Sequence, residues 1–448
     1  MNYMDAAVMA NPTNNLTGLA ADLKNRHDSG SPIRVAIVGA GQMGTDLVVA
    51  IARMKGLEVA AIADRRLSGA PQAIEMAGYD ADHGSICENP SAINAAIDAG
   101  RIAISQNSSD VISNPQINVV IDATGRPIAA AEVGMAAMEA GKHLVMMNVE
   151  ADVTVGSYMQ NRARELGVVY TVGAGDEPSS TLELYNFVTA LGYPVVAAGK
   201  GKNNAFQIDA TPDDFRAEAE ARNMNPRMLV EFVDGSKTMV EMSCIANATG
   251  LVPDVPGMHG PDCTMETLHN TLCPREDGGI LSQRGCVDFS VGEGVAPGVF
   301  VVVEMDHPRI RERMNDLKLG PGPYYAFYRP YHLTSLEVPL SAARAALYGT
   351  ADMHPMDRPV AEVCALSKRD LKAGEELDFI GEYCYRSWAM KADEARLQQA
   401  IPVGLLHGSR MKRDLKAGEL ITAENCEVNT NSMLYQLRLK QDQWLGYV

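Results

Sequence analysis

The sequence predicts an α/β fold in its first half, an α+β domain in the middle and a small β module at the end. Three observations carry that prediction. Short apolar runs alternate with helical stretches from Ile33 onward, the pattern of parallel strands joined by crossover helices that cover both faces of a sheet. A glycine-rich turn, Gly39-Ala40-Gly41-Gln42-Met43-Gly44, separates the first apolar run from the first helix of that pattern. Near the C-terminus, Lys368-Arg369-Asp370-Leu371-Lys372-Ala373-Gly374-Glu375 recurs unchanged as Lys412–Glu419, 44 positions later. Two copies of a basic strand end, an Ala-Gly turn and a Glu suggest two related hairpin-like corners. A chain of 448 residues is too long for one core. The expected division is an arm over 1–30, a first domain over 31–150, a second over 151–355 and the β module over 356–448.

Each element has its own signal. Leu16, Leu19, Ala20 and Leu23 give the polar arm a short helical pattern; such an arm packs on a neighbour or stays loose, and a homo-oligomer, dimer or tetramer, is expected. Arg34–Val38 reads as a buried strand, Thr45–Met54 as a helix and Leu57–Ala63 as a second strand closed by Asp64. Ile117–Ile121 is another strand, Ile128–Ala140 a helix ended by Gly141, and Lys142–Met147 a further strand. A helix over Val153–Leu166, a strand over Val168–Val172, a helix over Ser179–Leu191 and a strand over Val195–Ala198 follow. Thr211-Pro212-Asp213-Asp214 is a helix start, with Thr as the cap and acids at the positive end of the dipole. Residues 250–335 are rich in Gly and Pro and lack periodicity; a long irregular segment is expected to be functional, here as a lid.

Composition excludes several classes of function. The net charge of -17 repels nucleic acid and anionic membrane, so the expected partner is a small molecule. An anionic substrate then needs a local cluster of Lys and Arg. No run is apolar for long enough to span a bilayer. The first residues carry Asp5 and no basic stretch before any apolar run, unlike a secretory signal. None of the eight cysteines forms a Cys-x-x-Cys pair, so a reduced, cytoplasmic protein without structural zinc is expected.

The turn Gly39–Gly44 follows a strand and opens a helix. Gly39 allows the tight turn, Gly41 lets the backbone approach a diphosphate, and Gly44 lets helix and strand pack closely. Gln42 and Met43 offer N–H groups at the positive end of the helix. Asp64 lies twenty residues after Gly44, the place of a ribose-binding acid in a Rossmann domain, while Arg65 and Arg66 beside it favour a 2′-phosphate and hence NADP. Ala123-Thr124-Gly125 and the Asn148–Glu150 stretch sit at carboxyl ends of predicted parallel strands, where such sheets bind ligands.

Further chemistry is expected downstream. Asp176 and Glu177 are adjacent carboxylates between a strand and a helix, suited to a hard divalent metal, Mn or Mg, or to proton transfer. They also suit the helix dipole. Gly199-Lys200-Gly201-Lys202-Asn203-Asn204 places two lysines and two amides on one flexible loop; a desolvated lysine there acts as a base or polarises a carbonyl. Tyr328, Arg329 and His332 lie in the most aromatic stretch of the chain and suit a phosphate or carboxylate. Met239–Cys244 reads as core packing.

With these residues in view, the chain resembles the homoserine dehydrogenase superfamily, and within it the type II, reductoisomerase-like family acting on 1-deoxy-D-xylulose 5-phosphate. The marks are Val35–Gly44, Met146–Asp152, Gly173–Ser180, Ala198–Asn204 and Gly320–Leu333. The duplicated segment resembles SAF domains, small β-clip modules. One departure is clear: homoserine dehydrogenases carry Asn-Lys where this chain has Asn148-Val149-Glu150. The resemblance implies NADPH-dependent rearrangement and reduction of the ketose phosphate to 2-C-methyl-D-erythritol 4-phosphate, an isoprenoid precursor. Lys202, Arg329 and the helix start at Ser179 and Ser180 would then hold the phosphate, and a metal near Asp176 or Glu177 would polarise the ketone. Two other readings remain: a dehydrogenase of another polyol, sugar acid or homoserine-like substrate, and a non-enzymatic NAD(P)-binding sensor.

Overall fold

The computed structural model describes residues 16–222 and 224–448; the first half of the predicted arm lies outside them. Within the arm, the helix Leu19–Asp28 forms where the apolar spacing places it and buries Leu23. The chain divides into two compact units.

The first unit comprises the residues up to Asn148, Met159–Gly175 and Leu333–Asp352. Its strands are β1 (Ile33–Val38), β2 (Leu57–Ala63), β3 (Gly84–Ile86), β4 (Ile102–Ser105), β5 (Val119–Asp122), β6 (His143–Met146) and β7 (Tyr170–Val172). They form one sheet in the order β3-β4-β2-β1-β5-β6-β7. All neighbouring pairs are parallel. Strands buried on both faces read as continuous apolar runs, which is why Ile33–Val38 and Leu57–Ala63 were legible. Ile37, Ile62, Ile121 and Leu47 are fully buried, each worth about 1.5–3 kcal/mol of transfer free energy. The doubly wound architecture expected from the sequence is present, and it is larger than expected. β7 lies beyond the boundary at 150, and the helix Val338–Tyr348 packs Val338, Ala342 and Ala343 into the same core.

The second unit comprises Val149–Tyr158, Asp176–His332 and Met353–Val448. Its main sheet runs β12-β11-β8-β10-β9, from β8 (Val195–Gly201), β9 (Val252–Pro253), β10 (Cys286–Ser290), β11 (Val299–Glu304) and β12 (Tyr324–Arg329). β8, β10 and β9 are mutually parallel, and β11 is antiparallel to β8 and β12. The segment 250–335 therefore supplies four of these five strands and is not a lid. Its glycines sit in the connections and Pro253 within β9; β9 and β10 are too brief to show a period, and the buried run of β11 does not alternate.

The C-terminal module belongs to the second unit. β13 (Ala361–Ser367) and β14 (Tyr385–Lys391) pair antiparallel, as do β15 (Arg410–Met411) and β16 (Cys426–Glu427). The two copies of the repeat face each other about a local twofold. Leu371 and Leu415 exchange both backbone hydrogen bonds, at 2.9 and 3.0 Å. Lys372 pairs with Asp414 and Lys416 with Asp370, both at 2.7 Å. Each aspartate also accepts from the alanine N–H of the other copy, Ala373 or Ala417. This is the pair of related corners read from the repeat. All eight cysteines are buried and unpaired with one another. Among the described residues no helix is long and apolar enough to cross a membrane.

Candidate active site

In the first unit the glycine turn has the constraints expected of a dinucleotide cradle. Gly39 has φ +109°, and a Cβ there would meet the Ala123 carbonyl oxygen at 2.4 Å. A Cβ on Gly44 would lie 2.0 Å from the Gly39 carbonyl oxygen, whereas one on Gly41 would have nothing within 4 Å. The space at Gly41 is what a diphosphate needs. The helix Gln42–Ala52 opens directly after it, three residues earlier than the sequence suggested, with no side chain capping its first N–H groups. Gln42 and Met43 thus stand in the first turn. These residues fit NAD(P).

Asp64 closes β2. Its carboxylate accepts from Ala40 N at 2.7 Å and Arg66 N at 2.8 Å, so it holds the glycine turn itself. Arg65 and Arg66 are exposed beside it. Thr124 and Gly125 follow Asp122 at the end of β5, where burial pushes the Asp122 carboxyl up to about 7 against the hydrogen bonds of Thr124. Asn148 is buried after β6.

The second unit holds a buried cluster of charge. β8 carries Lys200, and alternation along the extended chain sends Lys202 to the same side. Lys200 Nζ donates to Glu177 Oε1 at 2.8 Å and to Glu241. Glu177 opens the helix Glu177–Ala190, with Asp176 as its cap residue, so this helix also starts earlier than expected. Lys237 Nζ lies 3.6 Å from Glu150 and 3.7 Å from Glu241. Glu150, which the sequence assigned to the cofactor cradle, is thus paired with Lys237 in the second unit.

Protonation follows from these neighbours. Burial opposes charge on Lys200, but Glu177 and Glu241 hold its proton firmly, well above the ordinary lysine range. Burial likewise opposes charge on Lys237, and Glu150 and Asp176 overcome it. Burial also works against the Glu177 carboxylate, yet Lys200 keeps it well below its usual value. Asp176 is driven well up by burial and by Glu177. Glu241 is pushed to about 7 by burial and Glu177. Lys202 contrasts with Lys200. Its ammonium donates to the Asn204 carbonyl and sits 4.5 Å from the Phe206 ring centroid. No carboxylate pairs with it among the described residues. Burial and Lys200 lower it to about 8.

The remaining predicted residues have definite places. Asn203 is exposed on the loop after β8. Ser179 and Ser180 are buried in the first turn of the helix Glu177–Ala190. Arg329 donates to Ser180 Oγ at 3.2 Å and to Glu183 at 2.9 Å, so its charge is already met. His332 reaches Pro297 O at 2.7 Å and lies 3.5 Å from Glu177. Tyr328 donates its hydroxyl to the Gly294 and Val295 carbonyls and packs its ring over Gly298.

Lys237 and Glu241 are the residues that sequence reasoning missed. They sit in the helix Ser236–Thr249, within the stretch read as core, and that helix is buried over most of its length. Two opposite charges four residues apart inside an otherwise uncharged helix were the available signal. His259, on the loop after β9, is a second omission: Asp254 takes its Nε2 at 2.8 Å and Ser282 N at 2.9 Å.

Asp176, Glu177 and Glu241 offer oxygens within 4.8 Å of one another, a hard donor set suited to Mg2+ or Mn2+. Two of the three already bind Lys200, so an entering ion competes with that ammonium.

Residues 39–172 match the family "Homoserine dehydrogenase, NAD binding domain", and residues 175–338 match "Oxidoreductase DRL, catalytic domain". A homoserine dehydrogenase of Pseudomonas aeruginosa is 29% identical over 147 residues, which are 31% of this chain. The match spans 28% of that relative's length. Among solved structures, 1-deoxy-D-xylulose 5-phosphate reductoisomerase from Zymomonas mobilis in complex with NADPH is 17% identical, over 47% of this chain and 56% of that one, with a TM-score of 0.33. A scyllo-inositol dehydrogenase from Lactobacillus casei is 12% identical, over 66% of this chain and 75% of that one, with a TM-score of 0.36. Over residues 39–338 the chain is thus similar to an NAD(P)-binding domain followed by an oxidoreductase catalytic domain.

Proposed function

We propose that the protein is an NADPH-dependent oxidoreductase of a small hydroxy or carbonyl compound, with 1-deoxy-D-xylulose 5-phosphate as the first substrate to test. One observation carries this reading: of two neighbouring buried lysines, Lys200 is clasped by Glu177 and Glu241, while no carboxylate pairs with Lys202 among the described residues. Lys200, locked between Glu177 and Glu241, has a third N–H to aim at a substrate oxygen and acts as a fixed cation that polarises a carbonyl. Lys202, poised at about 8, is suited to deliver a proton to the oxygen as the carbonyl carbon accepts hydride, and to take it back in the reverse direction. Bound NADPH supplies that hydride. The balance is simple: one carbonyl, one hydride and the Lys202 proton give one alcohol. Exposed Arg65 and Arg66 support NADP over NAD.

Mg2+ or Mn2+ held by Asp176, Glu177 and Glu241 would supply Lewis-acid polarisation of the same oxygen. In its absence the ammonium of Lys200 serves that need.

A second reading, a dehydrogenase of an unphosphorylated polyol or sugar acid, is favoured by Arg329. Its pairing with Glu183 and Ser180 leaves the expected phosphate clamp without its guanidinium. The test is substrate-dependent NADPH oxidation by the purified protein across ketose phosphates, polyols and hydroxy acids, with and without Mn2+. Turnover of the ketose phosphate supports the first reading. Turnover of polyols or acids alone supports the second, and cofactor binding without any turnover sinks both.

A further inference from the structure

The two copies of the C-terminal repeat are equivalent in sequence but not in what their first lysine does. Lys412 is exposed and donates to the Ala423 carbonyl at 2.7 Å. Its counterpart Lys368 is buried. Lys368 Nζ donates to the carbonyls of Ala210 and Glu382, both at 2.9 Å, and lies 2.8 Å from Asp234 Oδ2. Asp234 is fully buried. Its other oxygen accepts from Ser236 N at 2.8 Å, at the start of the helix that carries Lys237 and Glu241. The same module makes a second attachment there, Ser387 N to Ser236 Oγ at 2.9 Å. Asp234 also acts electrostatically on Lys202.

A buried ion pair is a poor way to gain stability, because apolar residues of similar volume would often serve as well or better. What an apolar pair cannot do is hold a charged carboxylate against the first N–H of the helix of Lys237 and Glu241 with its field acting on Lys202. We propose that Lys368 is a positioning residue of the candidate active site: it holds Asp234 so that this carboxylate anchors that helix and balances the charge of Lys202. The C-terminal module thereby becomes part of the catalytic apparatus. The inference rests on the oxidoreductase reading only in giving Lys202 a proton to move. The charged groups involved are Lys200 and Asp234 around Lys202, and Lys368, Lys202, Arg386 and Glu231 around Asp234.

The experiment reads Lys202 directly in the full-length protein, without turnover. Trace acetylation with acetic anhydride at a series of pH values, resolved by tandem mass spectrometry, gives the titration midpoint of Lys202. In the unsubstituted protein it should lie near 8. Lys368→Met takes its partner from the fully buried Asp234 carboxyl, which then takes up a proton, so the Lys202 midpoint should move down by about half a pH unit or more. Asp234→Asn alone should move it down by a similar amount, and the double variant no further. A purely structural lysine would lower the melting temperature of Lys368→Met without moving Lys202. If Lys368→Met does not fold, Asp234→Asn and the double variant decide the matter. An unmoved midpoint in the folded variants, or an ordinary lysine midpoint at the outset, overturns the proposal. Failure of the oxidoreductase reading shows elsewhere, as absent NADPH oxidation with Lys202 still titrating as described.

Discussion

Gly41 and Gly44 stand in one turn under different constraints. The open space at Gly41 means that Gly41→Val keeps the fold and fills the place of the diphosphate, so fluorescence titration should show loss of NADPH binding at an unchanged melting temperature. Gly44→Ala instead drives a Cβ into the Gly39 carbonyl and should cost stability, by roughly 1–3 kcal/mol. Cofactor choice rests on the two exposed arginines. Arg65→Ala with Arg66→Ala should weaken NADPH binding at least tenfold, about 1.5–3 kcal/mol for a charge-assisted contact, and spare NADH. Equal losses for both cofactors would remove the argument for NADP. The lysines separate by protonation: in Lys202→Met the limb of kcat/KM near pH 8 should vanish, while Lys200→Met should lower kcat at every pH. Persistence of that limb in Lys202→Met would assign it to another group. Lys200, Lys202, Asp176 and Glu177 were legible because glycines and adjacent carboxylates stand out in the sequence, although Lys200 lies within the buried strand β8 and not on the flexible loop expected of it. Lys237 and Glu241 were not, because burial on every side of their helix erases the amphipathic pattern that marks a functional face.

At the level of elements, parallel strands buried on both faces announced themselves, whereas β3, β4, β9 and β10 did not. They are two to five residues long, much like β5–β7, but Ser85, Pro253 and Asp288 interrupt the apolar run of β3, β9 and β10, and a short broken run cannot distinguish strand from turn. The first turns of helices were also read late. Gln42 and Glu177 are polar and precede the apolar positions from which a helix is recognised. The repeat module was legible because an exact duplication needs no periodicity. Its symmetry carries a prediction. Gly374 and Gly418 have φ of +82° and +83°, with nothing within 4 Å of either Cβ position. Alanine at either site therefore meets only backbone strain, about 1 kcal/mol. Denaturant unfolding should give equal losses for the two variants. A large difference would show that the copies are not equivalent where they turn.

For the whole molecule, buried acids decide how stability follows pH. Asp122 and Glu241 sit near 7 and Glu231 near 8, each raised chiefly by burial. The folded chain keeps protons that the unfolded chain has released above about pH 4.5. Stability from these groups is present at low pH and lost as pH rises through about 7–8. Glu177, held low, works the other way and loses its contribution as pH falls below about 4.5. The cofactor-free protein should therefore melt highest on the acid side of neutrality, near pH 5–6, and progressively lower toward pH 9. Differential scanning calorimetry checks this, and a maximum at pH 8 or above would contradict it. Asp122→Asn should flatten the decline. The exchange of partners within the repeat has a temporal consequence as well. Asp370 finds its alanine N–H and its lysine only in the second copy, and Leu371 finds both its backbone partners there. During synthesis on the ribosome the first copy therefore emerges incomplete, and it stays so until some forty-four more residues have followed it out.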